Sequence, residues 1–198
     1  MRKILFIFLL STSLFAQEKA TNLLNVGLDV IGFGVQYEKA INDNVTTVGS
    51  VEYMANFYSV DHPLEFDLKT IYTLKLSLEG RYYYNFEQRM ASGKTTTNNS
   101  ANYFGLRGSI FPDWLTTTNE DGAVLEKRGI ISFNYGFKRS FNKYLFYEAY
   151  GGIGILFTKR EESQQLYLDE NNKYQERTYR QGSSDGSFDI GFRIGYNF

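Results

Sequence analysis

Apolar and polar residues alternate at every second position along several stretches of this chain. The clearest stretch is residues 187–198, where one parity is wholly apolar: Phe188, Ile190, Phe192, Ile194, Tyr196 and Phe198. The other parity holds serine, aspartate, glycine, arginine and asparagine. Successive side chains of a β-strand point to opposite faces, so this period predicts a strand with one apolar and one polar face.

The same alternation recurs in seven further segments, which we interpret as strands: residues 24–30, 33–38, 45–57, 72–85, 103–110, 131–138 and 145–157. Together with the last segment they predict eight strands and an all-β fold. An even number of strands returns both chain ends to one side of a closed sheet. The break at Ile31-Gly32 is therefore interpreted as a tight hairpin, because merging the first two segments would leave seven strands.

The connections between these strands differ in length. Short turns are predicted at Asn42-Asp43-Asn44 and at residues 140–143. Residues 86–100 form a longer connection whose first half could make one helical turn. Loops are predicted at residues 59–69, 113–127 and 158–185.

The last of these loops has its own alternation. Residues 165–169 and 174–179 alternate on either side of Asn171-Asn172. Asparagine tolerates the positive φ angles of hairpin turns. We therefore predict that the last two strands continue through loop 158–185 as a protruding hairpin, and that its exposed edge could pair with a partner strand.

The composition agrees with a strand-rich exported protein. The chain has 17 Phe, 16 Tyr and 18 Gly but only 2 Pro, and aromatic residues favour strands. It has no Cys, which excludes disulfides and thiolate metal sites. Its 21 basic and 22 acidic residues give a net charge of −1, so no nucleic-acid partner is expected.

The N-terminus has the three regions of a secretory signal peptide. A basic start at Arg2 and Lys3 precedes an apolar run at residues 4–10 and a stretch that includes small residues and ends at Ala16. We expect residues 1–16 to be cleaved and residues 17–198 to form a single domain. An uncleaved membrane anchor is disfavoured because the apolar run is well short of the ~18 residues that a spanning helix needs.

Alternation alone does not say which face lies inside a closed sheet. A soluble, lipocalin-like barrel would place the apolar face inward, and a membrane barrel would place it outward. Aromatic residues near the strand ends indicate two girdles, as in membrane barrels: Tyr37, Tyr82, Tyr84, Tyr135, Phe137, Tyr147, Tyr196 and Phe198 at one rim, and Tyr53, Phe57, Tyr72, Phe111, Phe157 and Phe188 at the other. The expected fold is an eight-stranded antiparallel up-and-down transmembrane β-barrel with a filled polar interior.

That orientation turns six acidic and five basic residues inward: Asp29, Glu38, Glu52, Glu79, Glu148, Asp189, Lys75, Arg81, Arg107, Lys138 and Arg193. Charges in a narrow interior are tolerated only when they are paired and hydrogen-bonded. An eight-stranded barrel is just wide enough for side chains to fill it. We expect a structural ion-pair network, with an ion-selective lumen as the alternative.

Candidate chemistry is sparse. The one histidine, His62, has Asp61 and Ser59 beside it, but neighbours in a loop do not make a preorganised triad. One histidine and no cysteine also leave no set of metal ligands at a recognisable spacing. We expect no catalytic, cofactor or metal site and no enzymatic activity.

Several short motifs carry a family resemblance: Tyr37-Glu38 before a turn, Arg-Tyr-Tyr-Tyr-Asn at residues 81–85, Arg89, Gly93-Lys94 and Tyr103-Phe104. With the closing strand that ends in Phe198, the chain resembles small eight-stranded outer-membrane proteins of the OmpX and OmpA-domain type, and more closely uncharacterised Bacteroidota barrel proteins. The resemblance implies a location in the bacterial outer membrane. It also implies that the barrel-assembly machinery reads the last strand, including Phe192, Ile194, Tyr196 and Phe198, as an assembly signal.

The family carries no assigned activity, so no functional site transfers with the resemblance. The leading expectation is a non-enzymatic outer-membrane protein that lies in the lipid bilayer and contacts a surface protein or cell partner through loop 158–185. A narrow ion- or small-solute-conducting pore is the alternative. A lipid-modifying envelope enzyme is a third hypothesis.

Overall fold

The computed structural model describes residues 19–62, 65–112, 115–118, 127–159, 163–168, 174–179 and 182–198. For residues 57–62, 65–69, 118, 159, 163–168 and 174–179 it describes the backbone alone. The predicted signal peptide, residues 1–16, lies outside the described residues.

The described chain is almost entirely β-structure. Its strands are β1 (Leu23–Asp29), β2 (Gly32–Ala40), β3 (Val45–His62), β4 (Glu65–Tyr83), β5 (Asn102–Phe111), β6 (Thr116–Thr118), β7 (Arg128–Ser140), β8 (Leu145–Lys159), β9 (Ser163–Leu168), β10 (Tyr174–Tyr179) and β11 (Gly182–Asn197). One short helix, α1 (Phe86–Ala91), and a 3₁₀ turn at Thr97–Asn99 lie between β4 and β5. In the described part of the chain, no helix has the length and apolar character needed to cross a membrane.

Eight strands close into a ring. Each of β1, β2, β3, β4, β5, β7 and β8 pairs antiparallel with the next of the eight along the chain, and β11 pairs with both β8 and β1. The closing pair aligns Asn25 with Asn197 and Asp29 with Arg193. The short strand β6 adds to β4 beyond the end of β5, which makes a nine-stranded antiparallel sheet. The predicted count of eight long strands is confirmed.

The first described residues before β1, the last residue Phe198 and the two short turns lie at one end of the ring, which we name the turn end. In each turn one asparagine caps the backbone: the Oδ1 of Asn42 accepts from the amides of Asn44 and Val45, at 3.0 and 2.8 Å. The Oδ1 of Asn142 accepts from the amides of Tyr144 and Leu145, both at 2.8 Å. Such side-chain to backbone bonds fix tight turns, which is why both short connections were recognisable in the sequence.

The opposite end, which we name the loop end, departs from the prediction in part. The loop predicted at residues 59–69 is wrong over most of its length, because β3 and β4 stay paired from Tyr58↔Lys69 to His62↔Glu65. A ladder of hydrogen bonds needs extended, adjacent backbones rather than alternating side chains. The paired strands therefore extend beyond the residues that alternate in the sequence. Part of predicted loop 113–127 forms β6. The tight hairpin is confirmed, although Asp29 pairs with Gly32 and the turn residues are Val30 and Ile31.

The hairpin predicted inside loop 158–185 is also present in the described residues. Strands β9 and β10 pair antiparallel, with Tyr174 opposite Leu168 and Tyr179 opposite Ser163. They form a separate two-stranded sheet rather than a continuation of the ring. The predicted turn residues Asn171 and Asn172 lie outside the described residues.

Burial follows the alternation along each strand. In β5, for example, every second residue from Tyr103 to Phe111 is buried and the residues between them are exposed. Phe111 is therefore inward and only 5% exposed, so its predicted place in an outward aromatic girdle is wrong. The last inward-facing residue of β5 is aromatic, and its residue type alone did not show which way the side chain points.

Two adjacent glycines of β8 give a direct test of these faces. A Cβ at Gly152 would overlap Oδ1 of Asn134 and the carbonyl oxygen of Phe133, whereas a Cβ at Gly151 would meet nothing within 4 Å. We expect Gly152→Ala to lower the free energy of unfolding by about 1 to 3 kcal/mol through overpacking. The matched control Gly151→Ala should stay within about 0.5 kcal/mol of the parent protein. Urea titration of both refolded variants would measure this, and equal effects would contradict the assignment of the faces.

Candidate functional site

The inward face of the ring holds a network of charged side chains. All eleven residues predicted for the interior lie on this face, and each forms at least one salt bridge. Most of them are buried, and Arg81, Lys138 and Glu38 are about 1% exposed. The chain therefore concentrates its buried charge inside the ring, where the network divides into three clusters.

The central cluster crosses the ring. Nε of Arg81 donates to Oε2 of Glu79 at 2.8 Å, and its Nη2 donates to Oε1 of Glu148 at 2.6 Å. Glu148 is on β8, which is separated from β4 by β5 and β7. Arg107 continues the cluster, with 2.9 Å to Glu79 and 3.3 Å to Asp189. These bridges tie four strands together through the middle of the ring.

Aromatic rings and hydroxyl groups complete the central cluster. The guanidinium of Arg81 lies 4.3 Å from the ring centroid of Tyr103, and that of Arg107 lies 4.0 Å from the ring of Tyr150. The hydroxyl of Tyr103 donates to Oε1 of Glu148 at 2.6 Å. A desolvated cation over an aromatic face is stabilised by the quadrupole of the ring. The buried charges of the central cluster are therefore stabilised by aromatic contacts and a hydroxyl group as well as by ion pairs.

A second cluster lies toward the turn end. Lys138 pairs with Glu38 at 3.0 Å. Glu38 also accepts hydrogen bonds from the hydroxyls of Tyr83 at 2.6 Å and Thr46 at 2.9 Å. This buried carboxylate therefore has three donors, which is what a charge needs when it is removed from water.

The third cluster lies toward the loop end. Nη2 of Arg193 is 2.8 Å from Asp29 and 3.4 Å from Glu52, and Lys75 is 3.2 Å from Glu52. Asp29 and Arg193 face each other across the seam where β1 and β11 close the ring. The ion pairs therefore reinforce the closure.

A segment that covers the turn end lies directly against this network. Residues 86–101, which we name the cap segment, run between β4 and β5. Phe86 is 2% exposed, and its ring lies 5.0 Å from that of Tyr83. Tyr83, Phe86, Ala101, Tyr103 and Ala20 form a small buried apolar cluster. The longer connection predicted at residues 86–100 therefore packs over the end of the ring.

Polar contacts hold the cap segment to the residues that precede β1 and to the turn between β7 and β8. The Asn99 side chain accepts from the amide of Thr21 at 2.9 Å and donates to its carbonyl oxygen at 3.0 Å. Asn98 donates to the carbonyl oxygen of Lys143 at 2.8 Å. Both asparagines have positive φ angles, 54° and 59°, a conformation that asparagine adopts more readily than most residues. The cap segment is thus anchored at several separated points.

The outward face has the opposite character. Large apolar side chains lie exposed on all eight strands of the ring, and the most exposed include Phe188 at 81%, Ile190 at 76% and Leu28 at 69%. Monomeric soluble proteins rarely expose continuous apolar surfaces of this extent. The surface is therefore one that another apolar phase or partner would cover.

The described residues form no arrangement that supports a catalytic or a metal site. The backbone of Ser59, Asp61 and His62 lies in β3, and their side chains lie outside the described part. Among the described residues, no group of three or more His, Cys, Asp or Glu side chains is arranged to hold a metal ion. No cofactor is inferred.

Sequence reasoning missed part of the site. Tyr83 was not singled out, although it shares the inward parity of Arg81 and Glu79 in β4. The cap segment was predicted only as a longer connection, because its residues do not alternate as those of a strand do. Tyr83 could have been identified from its position, because it alternates in step with Glu79 and Arg81. By contrast, no local sequence signal indicates the contact between Asn99 and Thr21.

Comparison of the chain with protein-family models, with curated proteins and with solved structures gives no match. The resemblance to OmpX-type proteins stays a prediction. The function is therefore inferred from the chain's own fold and side-chain geometry.

Proposed function

We propose that this chain is an integral outer-membrane protein whose ring of eight strands is a transmembrane β-barrel. The observation that carries the proposal is the inverted distribution of side chains, with buried charges inside the ring and exposed apolar side chains on the outward face of all eight strands. In a bilayer the outward face meets lipid, and the closed ladder leaves no unpaired backbone groups toward it. A soluble barrel would need the reverse arrangement.

We further propose that the barrel is a non-enzymatic surface-interaction protein rather than a channel. The three ionic clusters and the buried rings of Tyr83 and Tyr103 occupy the interior, and the cap segment packs over the turn end with Phe86 against Tyr83. These features favour a filled barrel that presents its loop end. The β9–β10 hairpin at that end is the candidate contact for a surface protein or cell partner.

A narrow pore is the second candidate. One observation favours it: both polar atoms of the Asn25 side chain and Oδ1 of Asn197 are buried and have no hydrogen-bond partner among the residues that the structure describes. Buried amides without partners are unfavourable unless water reaches them. Planar-bilayer recordings separate the two candidates, because the filled barrel is expected to give no steady conductance steps, whereas ion-selective steps would establish the pore.

Insertion into vesicles tests the membrane proposal itself. Residues 17–198 refolded with phospholipid vesicles are expected to float with the vesicles and to resist extraction by carbonate. Added protease should cleave at the loop end or the turn end and leave the paired strands protected. A chain that remains monomeric and soluble without detergent, or that is fully digested in the presence of vesicles, would contradict the proposal.

A further inference from the structure

A polar cluster interrupts the apolar outward face at the turn end. It consists of Tyr84, Asn102, Tyr135 and Arg139, and we name it the rim cluster. Nδ2 of Asn102 donates to the hydroxyls of Tyr84 and Tyr135 at 3.1 and 3.0 Å, and the two hydroxyls lie 3.2 Å apart. Nη2 of Arg139 donates to Oδ1 of Asn102, and its Nη1 donates to the carbonyl oxygen of Lys138. The four side chains thus form one hydrogen-bonded unit outside the ring.

This unit has donors to spare. One hydroxyl proton is used between Tyr84 and Tyr135, which leaves the other free to donate. A guanidinium carries five N–H groups, and contacts with the described residues engage two of the three donor nitrogens of Arg139. Both tyrosines are more than 40% exposed, so the free donors are accessible. An acceptor-rich anion is the ligand that such a surface suits.

The positive charge around the rim cluster also favours an anionic ligand. Arg89 of the cap segment donates to the carbonyl oxygen of Thr95 at 2.9 Å, and it lies within electrostatic range of Arg139. Among the described residues, neither arginine forms a salt bridge with a carboxylate. Burial, and then the nearby charge of Arg139, lower the pKa of the Arg89 guanidinium. Two cations within electrostatic range of each other, with no carboxylate partner in the described part of the chain, favour the binding of an anion nearby.

We propose that Arg139, together with Arg89 and the rim cluster, binds the phosphate group of a phospholipid headgroup. The proposal rests on the proposed function, because only a membrane-spanning ring brings a leaflet to this surface. The planar fork of arginine matches phosphate oxygens through two parallel hydrogen bonds. The adjacent rings of Phe104 and Phe133, stacked at 5.9 Å, provide an apolar surface that continues toward the acyl chains.

The test is lipid retention by the whole mature chain in a neutral detergent, followed by native mass spectrometry. The parent protein is titrated with phosphatidylglycerol, with diacylglycerol, which lacks phosphate, and with soluble glycerol 1-phosphate. One phosphatidylglycerol should be retained, and Arg139→Gln should weaken this binding by about tenfold or more. Arg89→Gln provides a second, independent variant outside the strands and should weaken it in the same direction.

Lys143→Gln is the matched control. It removes one positive charge at the same end of the ring, but Lys143 lies over the ring of Tyr144 at 4.5 Å and outside the rim cluster. Its binding should equal that of the parent. Equal losses in Lys143→Gln and Arg139→Gln, or equal retention of diacylglycerol, would overturn the proposal. Competition by glycerol 1-phosphate at the same concentration as the lipid would overturn the lipid source and assign the site to a soluble phosphate.

The same variants also separate this inference from the membrane proposal. All of them are expected to insert into vesicles as the parent does. Normal insertion with lipid binding that does not depend on Arg139 would remove the phosphate site alone. Failure of the parent to enter vesicles would remove the membrane proposal instead.

Discussion

Arg81→Leu is expected to lower the free energy of unfolding by about 3 to 5 kcal/mol, because it leaves a buried carboxylate without its cation. Glu79 would keep Arg107 at 2.9 Å. Glu148, which is 2% exposed, would keep a hydrogen bond from the hydroxyl of Tyr103 and the more distant charge of Lys138, but no salt bridge among the described residues. The unpaired charge would therefore reside mainly on Glu148. Urea titration of the protein refolded in vesicles measures the change.

A second substitution identifies the cause of this effect. Glu148→Gln in the Arg81→Leu background removes the orphaned charge, so it should restore part of the lost stability although it is a further change. The non-additivity of the two substitutions is the energy of coupling between them. An effect of Arg81→Leu below about 1 kcal/mol would indicate a solvated pair. That result would favour the pore over the filled barrel.

Leu78→Arg is expected to lower the free energy of unfolding in vesicles by about 2 to 4 kcal/mol, the range for arginine facing lipid near the bilayer midplane. Leu78 is 63% exposed on the outward face of β4. It lies between Gly49 of β3 and Gly108 of β5, so neither directly opposed residue has a side chain that could pair with the guanidinium. The charge would instead have to reach the lipid headgroups or draw water inward.

Leu145→Arg is the matched control, because it makes the same substitution at the first residue of β8, where the chain leaves the turn end. Leu145 is 43% exposed. Near an interface the same change should lower stability by only about 0 to 1 kcal/mol. Similar effects at the two positions would mean that no depth-dependent apolar phase covers the outward face. The membrane proposal would then lose its main support.

Much of the ring was predictable because its signal is local. Side chains alternate between the two faces of any strand, so period two located the eight long strands and assigned charged residues such as Arg81 and Glu38 to one face. Asn42 and Asn142 marked the short turns through their own side-chain chemistry. These features depend on residues a few positions apart, and a single sequence contains them.

Other features depend on residues that are distant in the sequence, and the predictions made from the sequence were wrong for them. Strands β3 and β4 continue past Tyr58 and Lys69 because a ladder extends wherever two extended backbones lie side by side. Phe111 faces inward because of its parity, although its residue type suggested an outward girdle. In both cases the partner across the strand pair, rather than the residue itself, determined the outcome.

By itself the sequence determined the strands, their two faces and the set of charges that share the inward face. Only the tertiary structure decided which charges meet, because Arg81 reaches Glu148 across 67 positions and Lys138 reaches Glu38 across 100. Those pairings depend on the stagger of the strands and on the closure between β1 and β11. The cap segment was decided in the same way, since Asn99 meets Thr21 from 78 positions away. Alternation specifies the direction of each side chain, whereas contact across the ring requires all eight strands in place.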